Sequence, residues 1–562
     1  MAHSNTFLLC GCTKWRRKTM SIAYWCGRCA GFGLIAATTV VLWGCGGGGG
    51  GSGNQPIPLT VAKASCGPND NPETGLQGQV PAALRASGFK GFSCNLQLIG
   101  QSKGDGASWQ HAFFQDKSGH TCSYYDTSSP LNGTANRTHL GVVVIDTTVP
   151  SNPTPTAYLT SVAMMDPWES LKVNAQRQLL GAEDAKNGTD VPEDGTVNTG
   201  TGLLDLYDLS ADCRNPQLLS SVTTGTAANG DAAALPPGEI LAGHEGSFSP
   251  DGLTWYGGDR GTPKKYTATD ISSTVHPRLL GTFTMPQLTP TTVTTHGLSI
   301  SDDGMRAYVS QAGVLGSQVD LLSAPPADGI LILDVSDFQK RVANPQFRLV
   351  GSLLWRDGGQ MQHTILATIG GKSYLVAVDE SGPGGSNAAG WQASCAAGLP
   401  PFNMARIIDI SDETSPKLVS RLMLETHDPK NCDKILPDLV GRSSFTYGSH
   451  YCSIDNRHNA TTLACGYFNS GIRVFDIRDP ARPKEIAYFN PPGTTTPSPG
   501  SNHVVRKQWV AGGPDWCNAQ IRLDAATATL QTTCQDNGFL SLRFTNGVWP
   551  FPETTTPPGQ QN

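Results

Sequence analysis

An apolar run closed by an aspartate recurs along this chain: GVVVID from Gly141, LLDLYD from Leu203, KYTATD from Lys265, GILILD from Gly329, ARIIDIS from Ala405 and GIRVFD from Gly471. The aspartates, Asp146, Asp208, Asp270, Asp334, Asp409 and Asp476, are spaced by 62, 62, 64, 75 and 67 residues. A seventh run, GFLSLRF from Gly538, follows 67 residues on, with Arg543 where the aspartate would stand. Repetition at a near-constant period marks units that cannot bury their apolar faces alone and do so against their neighbours. Seven copies imply one closed object rather than seven domains.

The internal order of a unit gives the class of object. In the fourth, HGLSIS reads as a strand, DDG as a tight turn, RAYVS as a second strand, GILILDVSD as a third and FRLVGSLLW as a fourth; the third unit repeats the order with HEGSFSPDG. Four antiparallel strands per unit is a propeller blade, so the expected fold is all-β, a seven-bladed β-propeller. The 64 glycines and 39 prolines have their place in its turns. The repeated aspartates are expected to accept backbone N–H bonds in the turn after the third strand. The seventh unit stops after its third strand, while CNLQLIGQS, ahead of the first, looks like a fourth strand. The N-terminal strand is therefore expected to complete the last blade and leave no open sheet edge.

GVVVIDTTVPSNP, GILILDVSD, ARIIDISDETSP and GIRVFDIRDPARP resemble the LVIVD repeat of exported bacterial β-propeller proteins, many of them lipoproteins. The resemblance spans about Cys94 to Phe544. It implies the fold and an envelope location but no activity, since propellers host many functions. A more distant likeness, in architecture and histidine placement, is to the selenium-binding protein and methanethiol oxidase family, whose propellers carry metal-liganding histidines.

The leader agrees with export. Lys14, Arg16, Arg17 and Lys18 precede an apolar run from Ala30 to Trp43, which suits a signal peptide. LWGC then GGGGGGSG resembles a lipobox with Cys45 lipidated and a flexible tether behind it. An uncleaved signal anchor is the alternative, and Met20 is a second candidate start. The expected organisation is residues 1–45 as signal peptide and lipobox, 46–92 as tether and N-terminal extension, 93–546 as propeller and 547–562 as a disordered tail. With a net charge of -6 and no basic run beyond the leader, nucleic acid is not an expected partner, and the membrane is met only through the lipid anchor. A closed ring has no need to pair, so a monomer is expected.

Beyond the leader and Cys45 lie ten cysteines, an even number that fits five disulfides in an oxidising compartment such as the periplasm. Cys452 with Cys465, and Cys517 with Cys534, have the spacing of facing hairpin positions. Cys395 with Cys432 makes a plausible loop pair. Cys66, Cys94, Cys122 and Cys213 leave three connectivities open.

The first strand of every blade is innermost, so the residue opening it sits at one mouth of the central channel. Those residues are His111, Glu169, His244, His296, His363, His450 and Asp515. Five of the chain's 12 histidines thus fall on one ring, and neutral imidazole is a ligand for copper, iron and zinc. Glu169 and Asp515 are placed to orient histidines rather than to bind, and Trp109, Trp168 and Trp516 to wall a pocket. The same histidines could instead staple neighbouring blades through backbone hydrogen bonds, or line a metal-free polar pocket. GPGGSNAAG at Gly382 lacks the strand and helix context of a phosphate cradle, and no Gly-x-Ser-x-Gly nucleophile elbow occurs.

Two functions are compatible with these residues. One is a lipid-anchored binding or scaffold module that holds an envelope protein, saccharide or small molecule. The other is a periplasmic metal-dependent oxidoreductase with one transition metal, copper, iron or zinc, on the ring of His111, His244, His296, His363 and His450.

Overall fold

The computed structural model describes residues 60–86, 88–127, 138–184, 204–221, 226–227, 244–259, 264–286, 293–501 and 509–552. The expected signal peptide, Cys45 and the glycine tether lie outside the described residues.

Seven antiparallel sheets succeed one another along the chain as the blades of a seven-bladed β-propeller. The innermost strands are His111–Gln115, Lys172–Asn174, Glu245–Phe248, Leu298–Ile300, Gly359–Ile369, Cys452–Ile454 and Arg522–Asp524. Third strands such as Val142–Asp146, Ala405–Asp409 and Ile472–Asp476 are buried at every position except the closing aspartate. Adjacent blades cover both of their faces, which is why these segments read as unbroken apolar runs rather than alternating ones. Outer strands such as Thr154–Leu159 are largely exposed.

Each repeated aspartate accepts the backbone N–H two residues on. Asp146 takes Thr148 at 2.9 Å, Asp208 takes Ser210 at 2.8 Å, and Asp270 takes Ser272 at 2.9 Å. Asp334, Asp409 and Asp476 take Ser336, Ser411 and Arg478 at 2.8, 2.8 and 3.0 Å. The repeat therefore encodes a strand together with the turn that ends it.

Leu96–Ser102 pairs antiparallel with Gly538–Phe544, Leu96 opposite Phe544, and supplies the outer strand of the seventh blade. The described part of the N-terminal extension, from residue 60, packs on the propeller. Phe92–Cys94 adds a fifth strand to the sixth blade, against Lys484–Asn490. The buried Arg473 pairs with Glu73 of the extension and with Glu485 at 2.7 Å. Gln77 donates to Glu485 at 2.8 Å, and Tyr447 donates its hydroxyl to the Val80 carbonyl at 3.0 Å. At the other end the chain stays packed beyond the expected start of the tail: Trp549 is buried, its ring 4.7 Å from that of Phe544. Residues 553–562 lie outside the described residues.

Among the described residues five disulfides are formed. Cys452–Cys465, Cys517–Cys534 and Cys395–Cys432 pair as expected, the first across the opening hairpin of the sixth blade. Of the three open connectivities the structure has Cys66–Cys94 and Cys122–Cys213. The latter joins the first two blades. Among the described residues no helix is long and apolar enough to cross a membrane.

Candidate metal centre

The segments leading into the inner strands converge at one mouth of the channel, but unequally. In the fourth blade the inner strand is broken into Val293–Thr294 and Leu298–Ile300, both paired with Arg306–Gly313, and His296 lies in the break. Its own N–H is taken by the Tyr266 hydroxyl at 3.0 Å, so the backbone stays satisfied while the side chain enters the channel. His244 immediately precedes Glu245–Phe248, and His450 precedes Cys452–Ile454 by two residues. Glu169 stands three residues before Lys172–Asn174. To these the fold adds Glu380, near the end of the second strand of the fifth blade, Lys372–Ser381. A second strand runs antiparallel to the first and so ends where first strands begin.

Glu169 is the centre of this group rather than its periphery. Its Oε2 lies 2.9 Å from Nε2 of His244 and 3.6 Å from Nε2 of His296, and its Oε1 lies 3.0 Å from Nε2 of His450. Glu380 approaches the same two imidazoles, with Oε2 3.5 Å from His296 and Oε1 3.6 Å from His450. All five side chains are buried. Although the contacts are short, neither oxygen of Glu169, nor Nε2 of His296 or His450, has a hydrogen bond of acceptable geometry. The atoms are crowded together without pairing off. The ligand atoms of Glu169, His244 and His296 lie within 4.8 Å of one another, as do those of Glu169, Glu380 and His450.

The far nitrogens are held from behind. Nδ1 of His450 lies 2.9 Å from the Asn518 carbonyl, which fixes the proton on that nitrogen and turns the Nε2 lone pair inward. Nδ1 of His296 faces Oε2 of Glu245 at 3.4 Å, and Lys172 offsets that carboxylate from 3.2 Å. Gly297 makes room for it, since a Cβ there would sit 2.3 Å from Oε2 of Glu245.

His111 and His363 do not join the cluster. His111 faces the Gln520 carbonyl through Nδ1 at 3.1 Å and donates its N–H to Oε1 of Gln520, linking the first blade to the last. His363 stands four residues inside its strand, past a register shift after Met361, and accepts from the Cys452 N–H at 3.4 Å. Both sit at blade junctions in the stapling arrangement. Asp515 does not join the cluster and accepts from the backbone N–H groups of Trp516, Asp536 and Asn537 at 2.7 to 2.9 Å.

Trp109, Trp168 and Trp516 come together, with Phe445 and Phe468, as a buried aromatic plug rather than the wall of an open pocket. Trp109 and Trp168 stack at 5.7 Å; Trp109 lies 5.2 Å from the His450 ring, and Trp168 lies 5.5 Å from that of His244. Trp168, Phe445 and Phe468 have φ of 45°, 45° and 40°, a region bulky residues avoid. Such strain persists only where the surroundings over-determine it, and it concentrates at functional sites.

Burial and neighbouring charge act in opposition here. Burial disfavours the charged form of His296, but Glu169, Glu245 and Glu380 outweigh it and hold the imidazole up to about 9. For His450 burial is outweighed by Glu169 and Glu380, which hold it up to about 10. Glu169 is held well below the usual carboxylate range against its burial by the close approach and charge of His244, and by His296 and His450. Burial dominates for His111 and His363, pushed down to about 4 and about 3.

No family model matches this chain, and no curated protein matches it in sequence. The comparisons do not bear out the resemblance to LVIVD-repeat proteins, drawn from the segments quoted above, or the more distant one to selenium-binding proteins, drawn from architecture and histidine placement. Among solved structures the chain is similar to a protein of Bacteroides uniformis described as a candidate 6-phosphogluconolactonase, at 11% identity and a TM-score of 0.42, over 75% of this chain and 94% of that one. A second, of the same description, from Bacteroides fragilis, is 10% identical with a TM-score of 0.40, over 73% and 91%. Neither likeness bears on the chemistry of this chain.

Proposed function

We propose that this protein is a metal-dependent enzyme of the bacterial cell envelope, acting on a small substrate at the channel mouth, rather than a scaffold that only captures a partner. One observation carries the reading: His244, His296, His450, Glu169 and Glu380 direct ligand atoms into shared buried space, with the Nε2 atoms of His296 and His450 and both oxygens of Glu169 lacking well-formed hydrogen bonds. Unpaired buried polar atoms are costly unless something satisfies them. Imidazole with carboxylate, without thiolate, suits iron, copper, zinc or manganese. Five disulfides support an oxidising compartment, in keeping with the leader and Cys45 as an export signal and anchor.

A bound transition metal would supply Lewis-acid or one-electron chemistry. The chain's own residues do the rest. The Asn518 carbonyl and Glu245 orient His450 and His296. The aromatic plug keeps water from one side, which strengthens every charge interaction inside. Lys172 keeps Glu245 compensated so that it orients His296 without adding net charge.

The test is elemental analysis of the exported protein purified without a histidine tag, beside His296→Ala, Glu169→Gln and His363→Ala. Near-stoichiometric metal, lost from the first two and kept in the third, is the expected result. A wild-type protein that takes up no copper, iron, zinc or manganese after reconstitution would overturn the reading and leave the cluster as an ion-paired seal.

A further inference from the structure

We propose that the centre is built for two metal ions bridged by the carboxylates of Glu169 and Glu380, an inference that rests on the metal reading above. A single ion needs one oxygen from each carboxylate. Here each oxygen of both lies near an imidazole nitrogen, and the two oxygens of each carboxylate face different histidines. Oε2 of Glu169 faces His244 and His296 at 2.9 and 3.6 Å, while its Oε1 faces His450 at 3.0 Å. Glu380 repeats the division, Oε2 facing His296 at 3.5 Å and Oε1 facing His450 at 3.6 Å.

Two carboxylates laid side by side, each with one oxygen toward either imidazole group, form a double bridge. Paired ions in such sites stand about 3.5–4 Å apart. One ion takes His244, His296 and Oε2 of Glu169, with Oε2 of Glu380 reaching it from beside His296; the other takes His450, Oε1 of Glu169 and Oε1 of Glu380. The second ion has fewer protein ligands and is the one left open to substrate.

Charge extends the argument. Glu245 is offset by Lys172 at 3.2 Å, so the bridging glutamates carry the negative charge facing the ions. Two divalent ions would exceed that charge and draw in hydroxide or a small anionic ligand. The substrate class that follows is an anion, or a molecule attacked by hydroxide.

The decisive experiment counts and couples the ions in the whole exported protein. Metal-free wild type is titrated with Zn2+ alone, then loaded with Mn2+ and studied by electron paramagnetic resonance. Two equivalents per chain are expected, with the spectrum of an exchange-coupled pair. His450→Ala is expected to keep one equivalent and give an isolated six-line spectrum, with unchanged circular dichroism. One equivalent in wild type, uncoupled, would overturn the double bridge and leave the metal reading intact; two equivalents without coupling would also overturn it. No metal at all would fell both. Should His450→Ala not fold, the wild-type spectrum decides.

Discussion

Protons and metal ions compete for the same atoms at this site, and the competition has a sign. Stability from a histidine raised in the folded state is fully present below its ordinary value near 6.5 and is lost as pH climbs through the raised one. For His296 and His450, at about 9 and about 10, that loss runs from neutral pH to about 10. The metal-free protein should therefore melt at steadily lower temperature from pH 7 to 10 in scanning calorimetry. A flat profile would contradict the ion-paired description. Metal must displace those protons, so affinity should rise with pH over the same window, with proton release measurable by titration in two buffers of different ionisation enthalpy. His111 and His363, pushed down to about 4 and about 3, act the other way: their contribution is present above about 6.5 and lost as the solution is acidified. Gly297→Ala would drive a Cβ against Glu245 and unseat the partner of His296. Its expected signature is metal affinity lower by about 10–100-fold in chelator competition, with the fold intact.

At the scale of strands and turns, the six aspartates make one repeated prediction. Asp334→Ala removes a turn acceptor at the end of a buried strand, and should cost about 1 kcal/mol in urea unfolding. These turns were legible because strand and turn recur together at nearly constant spacing, and the Cys452–Cys465 and Cys517–Cys534 disulfides because their spacing is local. Ring placement was legible only in part. His244, His296 and His450 are legible because each stands where the pattern opens an inner strand. His363 is not, because its strand starts at Gly359 and shifts register before reaching it. Glu380 escaped because it lies on a second strand, in VDES, and reaches the ring only through antiparallel return. Glu245, beside His244 in sequence, serves His296 on the next blade, a relation that exists only once the ring is closed.

For the whole molecule, closure couples the first strand to the last. Leu96 is buried where Leu96–Ser102 meets Gly538–Phe544, so Leu96→Asp would place an unpaired charge in the seam. A loss of about 3–5 kcal/mol is expected, in one cooperative transition if the ring unfolds as a unit. Cys122–Cys213 spans 91 residues and ties the first blade to the second. Replacing both cysteines by serine should cost about 2–5 kcal/mol, seen as an earlier denaturation midpoint. The aromatic plug has an optical consequence. With Trp109 against His450 and Trp168 against His244, indole emission is generated within a few ångströms of the atoms that would hold an ion. A paramagnetic ion there would quench that fluorescence while zinc would not, so the protein carries its own gauge of occupancy, readable without a label.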